Sequence, residues 1–154
     1  MMKKLTALFL TLILCLALFP AALAAEPEFQ IIRETTEILP DGTEVRVVLS
    51  EQTVRTRGRV YSKIGKKDYS YGSDWVFTVY GTFSINEGVS ATCTADSYAV
   101  SIANSAWAQQ AASSGHGGNT AYASGTMSRY ALGAIVQNIY PSVSVSCDAN
   151  GNLS

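Results

Sequence analysis

Residues 75–85 read WVFTVYGTFSI, and this stretch decides the fold. Its large apolar side chains recur at every second position, which places them on one face of an extended strand. We therefore predict a core strand whose buried face consists of Trp75, Phe77, Val79, Phe83 and Ile85. Gly81 interrupts that row, and its missing side chain predicts a bulge or a close approach of another backbone.

The same alternation recurs along the rest of the chain, whereas helical periodicity is scarce. Residues 29–39 and 44–49 flank the turn sequence PDGT at 40–43, so they predict a β-hairpin. Further strands are predicted at 54–64, at 89–102 with a change of phase near Asp96, and at 142–147. Residues 65–72 are predicted to form a polar loop, and residues 86–88 a turn.

The region from residue 104 onward is harder to interpret. Residues 104–112 would tolerate a short helix, but the flanking pattern favours a strand that turns through 113–119 into a strand at 120–128. Residues 130–140 are apolar on both sides, which predicts a central strand buried on both faces. Pro141 then separates that strand from the last one.

Eight or nine short strands with glycine-rich turns predict an all-β fold, an antiparallel β-sandwich. Cys93, Trp107 and Cys147 have roughly the spacing found in immunoglobulin domains. However, Val145 occupies the position of the tyrosine corner, and only seven residues follow Cys147. We therefore expect an immunoglobulin-like architecture without true immunoglobulin topology.

Residues 1–24 have the three parts of a cleavable secretory signal peptide. Lys3 and Lys4 are followed by an apolar run that is short for a membrane span, and then by Pro20 and small residues up to Ala24. An uncleaved anchor is the alternative, and the proline and the small residues argue against it. We predict a signal helix that is cleaved and a secreted, extracellular bacterial protein.

Removal of residues 1–24 changes the charge balance. The whole chain has 11 Lys+Arg and 12 Asp+Glu, and two lysines leave with the peptide, so 9 against 12 remain, a net charge of −3. This weak charge does not indicate nucleic acid as a partner, and no second apolar run indicates a membrane after cleavage. Residues 25–52 are predicted to be a charged N-terminal hairpin, an arm of the domain, and residues 53–154 the sandwich itself.

Two cysteines remain once Cys15 has left with the signal peptide. Cys93 and Cys147 each lie on the apolar face of a predicted strand, and an even pair in an exported protein predicts a disulfide. Such a bridge would stabilise the fold by roughly 4 kcal/mol on the chain-entropy model. The alternative is two reduced, buried thiols.

No catalytic, metal-binding or cofactor-binding constellation stands out. His116 is the only histidine, and we interpret it as an exposed turn residue, because a general base needs a partner that orients it. Asp68 and Asp74 flank the predicted polar loop and are the only carboxylates near an expected groove. They carry the alternative hypothesis of a small hydrolase with a shallow site.

Two sets of side chains are candidates for binding. Tyrosines predicted on outward faces or in the polar loop form a possible binding face: Tyr61, Tyr69, Tyr71 and Tyr80. Cations at alternate positions form a possible anion-binding stripe: Arg55, Arg57, Arg59 and Lys63. The simpler interpretation of that stripe is a solvated face that pairs with the acids of the N-terminal hairpin.

From about residue 54 onward the chain resembles a group of uncharacterised small secreted proteins of Gram-positive bacteria. The resemblance rests on the WVFTVYGTF motif at 75–83, ATCT at 91–94, SAW at 105–107, GNTA at 118–121 and the terminal GNLS after Cys147. It covers about two thirds of the precursor. It implies a fold, and it carries over no enzymatic residue.

The function predicted from these observations is that of a secreted, non-enzymatic β-sandwich. Its expected partner is an extracellular ligand, namely a glycan, a wall component or a protein, with no cofactor. The alternatives are the small hydrolase and a secreted peptide-like factor.

Overall fold

The structure, a computed structural model, describes residues 28–54 and 59–154. The predicted signal peptide lies outside these residues, as do Arg55 and Arg57. The described chain forms nine strands and no helix: β1 (Gln30–Ile38), β2 (Glu44–Val54), β3 (Val60–Tyr71), β4 (Trp75–Asn86), β5 (Ser90–Ile102), β6 (Trp107–Gly117), β7 (Thr120–Ala131), β8 (Ala134–Ile139) and β9 (Ser142–Ser146).

The strands form two antiparallel sheets. The first sheet has the order β1-β2-β3-β4-β5, and in the second sheet β7 pairs with β6 on one side and with β8 and β9 on the other. All five strands of the first sheet are consecutive in the chain. Strands of an immunoglobulin domain are shared between its sheets in a different order, so the expectation of a different topology is confirmed.

The second sheet is effectively three strands wide. Met127 faces Ile139 and, three residues further along each strand, Ser124 faces Ser142, so one register runs from β8 into β9. The intervening proline has no N–H to donate, but its carbonyl accepts a hydrogen bond from the Gly125 N–H at 3.0 Å. β8 and β9 are therefore one strand interrupted at Pro141.

The core lies between the sheets. We call the face of the first sheet that packs on the second sheet its inner face, and the opposite one its outer face. The predicted core strand is confirmed as β4, whose five large inward side chains are at most 1% exposed. The second sheet contributes to the same core Trp107, Ala121, Ala123, Met127, Val143 and Val145.

Glycines set the distance between the sheets. Gly65 faces Gly81 across β3 and β4, and Ala121 faces Val145 across β7 and β9. A Cβ on Gly81 would lie 2.8 Å from the Cβ of Ala121, and one on Gly65 would lie 2.9 Å from Cγ2 of Val145. The close approach predicted at Gly81 is thus confirmed. The alternative, a bulge at Gly81, is not formed: the bulge nearby lies in β5, where Thr94 is the extra residue opposite Thr82 and Phe83.

Other local predictions are confirmed. The hairpin turn between β1 and β2 has Gly42 at φ 82°, and the Asp41 carboxylate accepts the Thr43 N–H at 2.9 Å. The phase of β5 changes as expected, since Cys93 faces Phe83 whereas Asp96 faces Gly81, so both point inward across the bulge. Residues 107–117 are a strand, as favoured, and not a helix.

Two strand boundaries were predicted wrongly. The expected strand at 54–64 contains the connection between β2 and β3, because Val54 faces Ser62 in the antiparallel pair. The expected polar loop at 65–72 is strand up to Tyr71. The outward residues of this segment are polar, and Gly65 occupies an inward position where the second sheet packs closely. The polar and glycine content of the segment therefore suggested a loop.

The prediction of a central buried strand at residues 130–140 is also wrong. Leu132 and Gly133 form a tight turn with φ values of 50° and 81°, and β8 follows at the edge of the second sheet. Most of the side chains in β8 are exposed. The second sheet ends at this strand, so Ile135 and Val136 stay exposed, while Ile139 packs partly against the core.

The two strands of the N-terminal hairpin have different surroundings. β2 pairs with β3 along its length and contributes Val45 and Leu49 to the core. All nine residues of β1 are exposed, since the narrower second sheet packs on β3, β4 and β5. β1 therefore extends beyond the second sheet as an overhanging edge.

The C-terminal residues close one end of the core. Leu153 forms an isolated bridge with Cys147 and is buried, and Ser154 exchanges backbone hydrogen bonds with Ser146 at 3.0 Å. The Gly151 carbonyl accepts a hydrogen bond from Lys63 Nζ at 2.7 Å. The last residues are thus part of the packed structure.

Candidate functional site

The outer face of the first sheet carries a cluster of polar side chains, with Val48 and Val76 among them. Arg46 faces Ser70 across β2 and β3, and Asp68 faces Thr78 across β3 and β4. These four side chains alternate with core residues, so they point away from the second sheet. Tyr80 lies on the same face, as predicted, one position after the buried Val79.

Each cation on this face is paired with a carboxylate. Arg46 donates to Glu34 through Nε at 2.6 Å and through Nη2 at 2.7 Å, a bidentate geometry. The hydrogen bond from Arg46 lowers the pKa of the Glu34 carboxyl, and the same bond raises the pKa of Arg46. Lys66 Nζ lies 2.8 Å from Asp68. The face is therefore locally balanced in charge.

The Asp68 carboxylate also has a second partner. Its Oδ1 accepts the Thr78 hydroxyl at 2.6 Å while its Oδ2 contacts Lys66. Thr78 is buried although it lies on the outer face. The Lys66–Asp68–Thr78 network is therefore held in a defined geometry.

Two aromatic rings border this network. The rings of Phe29 and Tyr80 lie 6.2 Å apart, and Lys66 Nζ lies 5.9 Å from the Phe29 ring centroid. An aromatic ring offers an apolar surface, and the tyrosine hydroxyl adds a hydrogen-bonding group. Tyr80 makes no hydrogen bond through its hydroxyl to any described residue.

Between these groups the sheet forms a shallow trough of about 400 Å³. It is lined by side chains of four neighbouring strands, among them Arg46, Lys66, Asp68, Ser70, Thr78 and Tyr80. We call this depression the outer trough. A second depression of about 400 Å³ continues toward the turn between β3 and β4 and shares Arg46, Ser70, Val76 and Ser101 with it.

The other predicted binding tyrosines do not lie on this surface. Tyr61 faces the core residue Ile85, Tyr69 faces Phe77, and Tyr71 faces Trp75, so all three point inward. Tyr71 stacks on Trp75 with ring centroids 5.2 Å apart. The predicted face of four tyrosines is therefore wrong, and only Tyr80 remains in it.

The predicted anion stripe is not formed by the cations that the structure describes. Arg59 is exposed, whereas Lys63 is buried on the inner face, opposite Phe83. Lys63 Nζ contacts Glu51 at 2.8 Å besides its bond to the C-terminal segment. The simpler interpretation, pairing with hairpin acids, holds for Lys63.

A polar cluster that the sequence did not reveal joins the two sheets. Asp96 on β5 makes a short contact with Nδ1 of His116 on β6, and Ser114 also hydrogen-bonds to Asp96. The bond to His116 is the main reason why the pKa of Asp96 is lowered, with that to Ser114 second. His116 is exposed, as predicted, but it lies in β6 and is oriented by a carboxylate, so its placement in a turn is wrong. Only the inward phase of Asp96 could have indicated this contact.

The two carboxylates of the hydrolase hypothesis are separated. Asp68 lines the outer trough, whereas Asp74, in the turn after β3, binds the loop between β5 and β6. The Asp74 carboxylate accepts Asn104 Nδ2 and Trp107 Nε1, both at 2.8 Å. Asp74 therefore connects the two sheets, and it does not share a groove with Asp68.

Cys93 and Cys147 are buried next to one turn. The Cys93 N–H donates to the Gly118 carbonyl at 2.8 Å, and the Cys147 N–H donates to the Asn119 carbonyl at 3.0 Å. The sulfurs are not bonded to each other, so the predicted disulfide is not formed, and the alternative of two free buried thiols describes the structure. The Cys93 thiol donates to the Ala95 carbonyl, and the Cys147 thiol donates to the Asp148 carbonyl. Burial raises the pKa of both, that of Cys147 to about 11.

No protein-family model, curated protein or solved structure matches this chain. Among residues 28–54 and 59–154 no helix is long and apolar enough to cross a membrane. The same residues contain no group of three or more His, Cys, Asp or Glu side chains placed to hold a metal ion.

Proposed function

We propose that the chain is an exported, non-enzymatic protein of sandwich architecture that binds an extracellular glycan in its outer trough. The observation that carries this proposal is the trough itself, with its balanced charges beside a tyrosine that has an uncommitted hydroxyl. Export is supported by the composition of residues 1–24.

The charges favour a neutral, hydroxyl-rich ligand. A polyanion would be attracted by unpaired cations, but Arg46 and Lys66 are each paired with a carboxylate. Fixed carboxylate and ammonium groups offer acceptors and donors side by side, and a sugar ring presents adjacent hydroxyls that both donate and accept. The ligand class that fits this pattern best is a carbohydrate.

The aromatic ring supplies the second element of such a site. Sugar rings have apolar C–H faces, and Tyr80 offers a ring of limited flexibility next to the polar network. The trough is open along its length, which suits an extended chain more than a small molecule that needs to be enclosed. A glycan polymer is therefore the form of ligand that we propose.

The test is a binding measurement on the protein recovered after expression and export of the full chain. We expect retention on purified cell-wall polysaccharide or on a glycan array. Tyr80→Ala should weaken the affinity about tenfold, as for a central aromatic contact. Tyr122→Ala is the matched control, because Tyr122 is an exposed tyrosine on the second sheet. The proposal fails if nothing is retained, or if Tyr80→Ala binds as well as the unchanged protein.

A second candidate function is hydrolysis at His116. The Asp96 carboxylate orients the imidazole through Nδ1, which is the arrangement of a general base whose Nε2 acts on a substrate or a water. Under this alternative, hydrolytic activity on polysaccharide or peptide substrates would disappear in His116→Gln and would be unaffected by Tyr80→Ala. The first proposal expects no activity in either protein.

A further inference from the structure

One edge of β1 pairs with no strand in the described part of the chain, and it presents backbone groups in a defined phase. The Leu39 N–H donates to the Thr43 carbonyl at 2.9 Å, in register with the pairing of β1 and β2. In an antiparallel pair, alternate residues direct both backbone groups to the partner strand. The odd-numbered residues 33–39 therefore bond to β2, and Glu34, Thr36 and Ile38 direct their N–H and C=O groups outward.

Two charged side chains of this strand have no ion-pair partner among the described residues. Arg33 and Glu37 both lie on the inner face, opposite Leu49 and Val45. Neither forms an ion pair with any residue in the described parts of the chain, and Arg33 lies near Lys67, a charge of the same sign. Glu34, on the opposite face, is already paired with Arg46.

We propose that two copies of this chain associate through β1, edge to edge and antiparallel, about a two-fold axis at Thr35. In this register Arg33 of one copy faces Glu37 of the other, and the same ion pair forms a second time by symmetry. Glu34 faces Thr36, and Ile38 faces Ile32 at each end. The two first sheets then form one sheet of ten strands. This inference goes beyond the proposed glycan binding and does not depend on it.

The backbone phase and the charges together select this register. Two residues that face each other in an antiparallel pair direct their N–H and C=O groups either both toward the partner strand or both away from it. Even-numbered residues of β1 can therefore face only even-numbered residues of the other copy. An axis at Glu34 would place the two Glu34 carboxylates opposite each other, and an axis at Thr36 would place Arg33 opposite Leu39. Only the axis at Thr35 brings opposite charges together.

Proteins protect edge strands with proline, with bulges, with a covering segment or with charged side chains. β1 does carry charges, but in the proposed register Arg33 and Glu37 face each other, so they favour this pairing. β1 contains no proline, and its one register irregularity lies at Ile32, at the end distant from the hairpin turn. Ile38 is 61% exposed. The five residues from Arg33 to Glu37 therefore form a regular edge that no residue of 28–54 or 59–154 covers.

The test uses two opposite charge changes in the protein recovered from the full chain. In the Arg33→Glu variant positions 33 and 37 are both acidic, and in the Glu37→Arg variant both are basic. Each variant alone should dimerise at least about tenfold more weakly in analytical ultracentrifugation, because like charges then face each other twice. A mixture of the two variants should form a heterodimer with about the original affinity, because each acidic position then faces a basic one.

The side chains involved are exposed, so both variants should fold, and circular dichroism checks this directly. Glu87→Arg is a control that changes charge in the distant turn between β4 and β5. The proposal is overturned if the unchanged protein stays monomeric up to about 1 mM, far above the range of specific association. It is also overturned if both variants dimerise as the unchanged protein does, since the contact would then lie elsewhere, for example at β8.

Discussion

β4 and β1 belong to the same sheet and both are regular strands, but their environments are opposite. In β4, alternate side chains are buried and both edges are paired, by β3 and β5. In β1 every residue is exposed, and one edge pairs with none of the described strands. The inward positions of β1 hold Arg33, Thr35 and Glu37, and the second sheet does not lie over them. A strand can therefore form without burial, which requires both apolar inward side chains and a second layer.

The cause is the unequal width of the two sheets. A sheet three strands wide cannot cover a sheet of five strands. Gly65 and Gly81 have no side chains, so the second sheet packs most closely on β3 and β4. β1 is left outside the shared core. The changes described below test how far the covered strands and the overhanging strand β1 differ.

The largest effect is expected at the closed end of the core. Leu153 is 6% exposed, so Leu153→Ala should remove about 3 kcal/mol from the free energy of unfolding, within the range measured for buried leucines. Ile38→Ala on β1 is the matched truncation and should cost less than about 0.5 kcal/mol. Denaturant titration at low protein concentration measures both. Equal losses would show that β1 is covered as well as the core is.

A second effect concerns the accessibility of the core thiols. Burial raises the pKa of Cys147 from 9.0 to about 11, so at pH 8 its thiolate should be roughly a hundredfold scarcer than that of an unfolded cysteine. Iodoacetamide should therefore alkylate the native protein at least about a hundredfold more slowly than the urea-unfolded one. Mass spectrometry over time measures the rate. Rapid native alkylation would mean that this end of the core opens readily.

The same experiment reports the state of the cysteines. If the exported protein has the mass of two free thiols, and gains two adducts after unfolding without reductant, the unbonded state is correct. If adducts appear only after reduction, Cys93 and Cys147 have formed a bridge beside the turn at Gly118.

The spacing of the sheets gives the next effect. Gly81→Ala should cost about 2 kcal/mol, because the new Cβ would lie 2.8 Å from Ala121 and the sheets would have to separate. Gly117→Ala is the control, since nothing lies within 4 Å of a Cβ there and its φ is not positive. A Gly81→Ala protein as stable as the control would contradict the close approach.

The smallest effect is expected at acid pH. Hydrogen bonds from Asn152, through its side chain and its N–H, and then from Asn150 and Gly151, lower the pKa of Asp148 below 3.8. A carboxyl with a lowered folded pKa stabilises the protein above its unfolded pKa, and this contribution disappears as the pH falls through the folded pKa. The stability difference between the unchanged protein and Asp148→Asn should therefore shrink from pH 6 to pH 2. Glu87→Gln, which removes an exposed carboxylate from another turn, is the matched control.

Several features of the fold could be predicted from local patterns because their causes are local. The turn at residues 40–43 needs only the φ preference of Gly42 and the reach of the Asp41 side chain. The buried row in β4 needs only alternation. The phase change in β5 was visible for the same reason, since apolar side chains shift by one position after the bulge.

Features that depend on distant partners could not be predicted. Lys63 is buried because Glu51 and the Gly151 carbonyl, 12 and 88 residues away, supply its hydrogen bonds. His116 is oriented because Asp96 lies on the adjoining edge of the other sheet. The outer trough likewise exists only where four strands lie side by side. Of the four tyrosines proposed as a binding face, three point into the core because of the pairing of β3 with β4.

The sequence by itself determined that this protein consists of β-strands, where several of its turns lie and which face of β4 is buried. The physical reason is that side-chain alternation and turn preferences act over a few residues. Only the tertiary structure decided which strands the second sheet covers, so that β4 lies in the core while β1, with the same alternating geometry, keeps a free edge. Coverage depends on the relative width and spacing of two layers, which residues far apart in the chain set together.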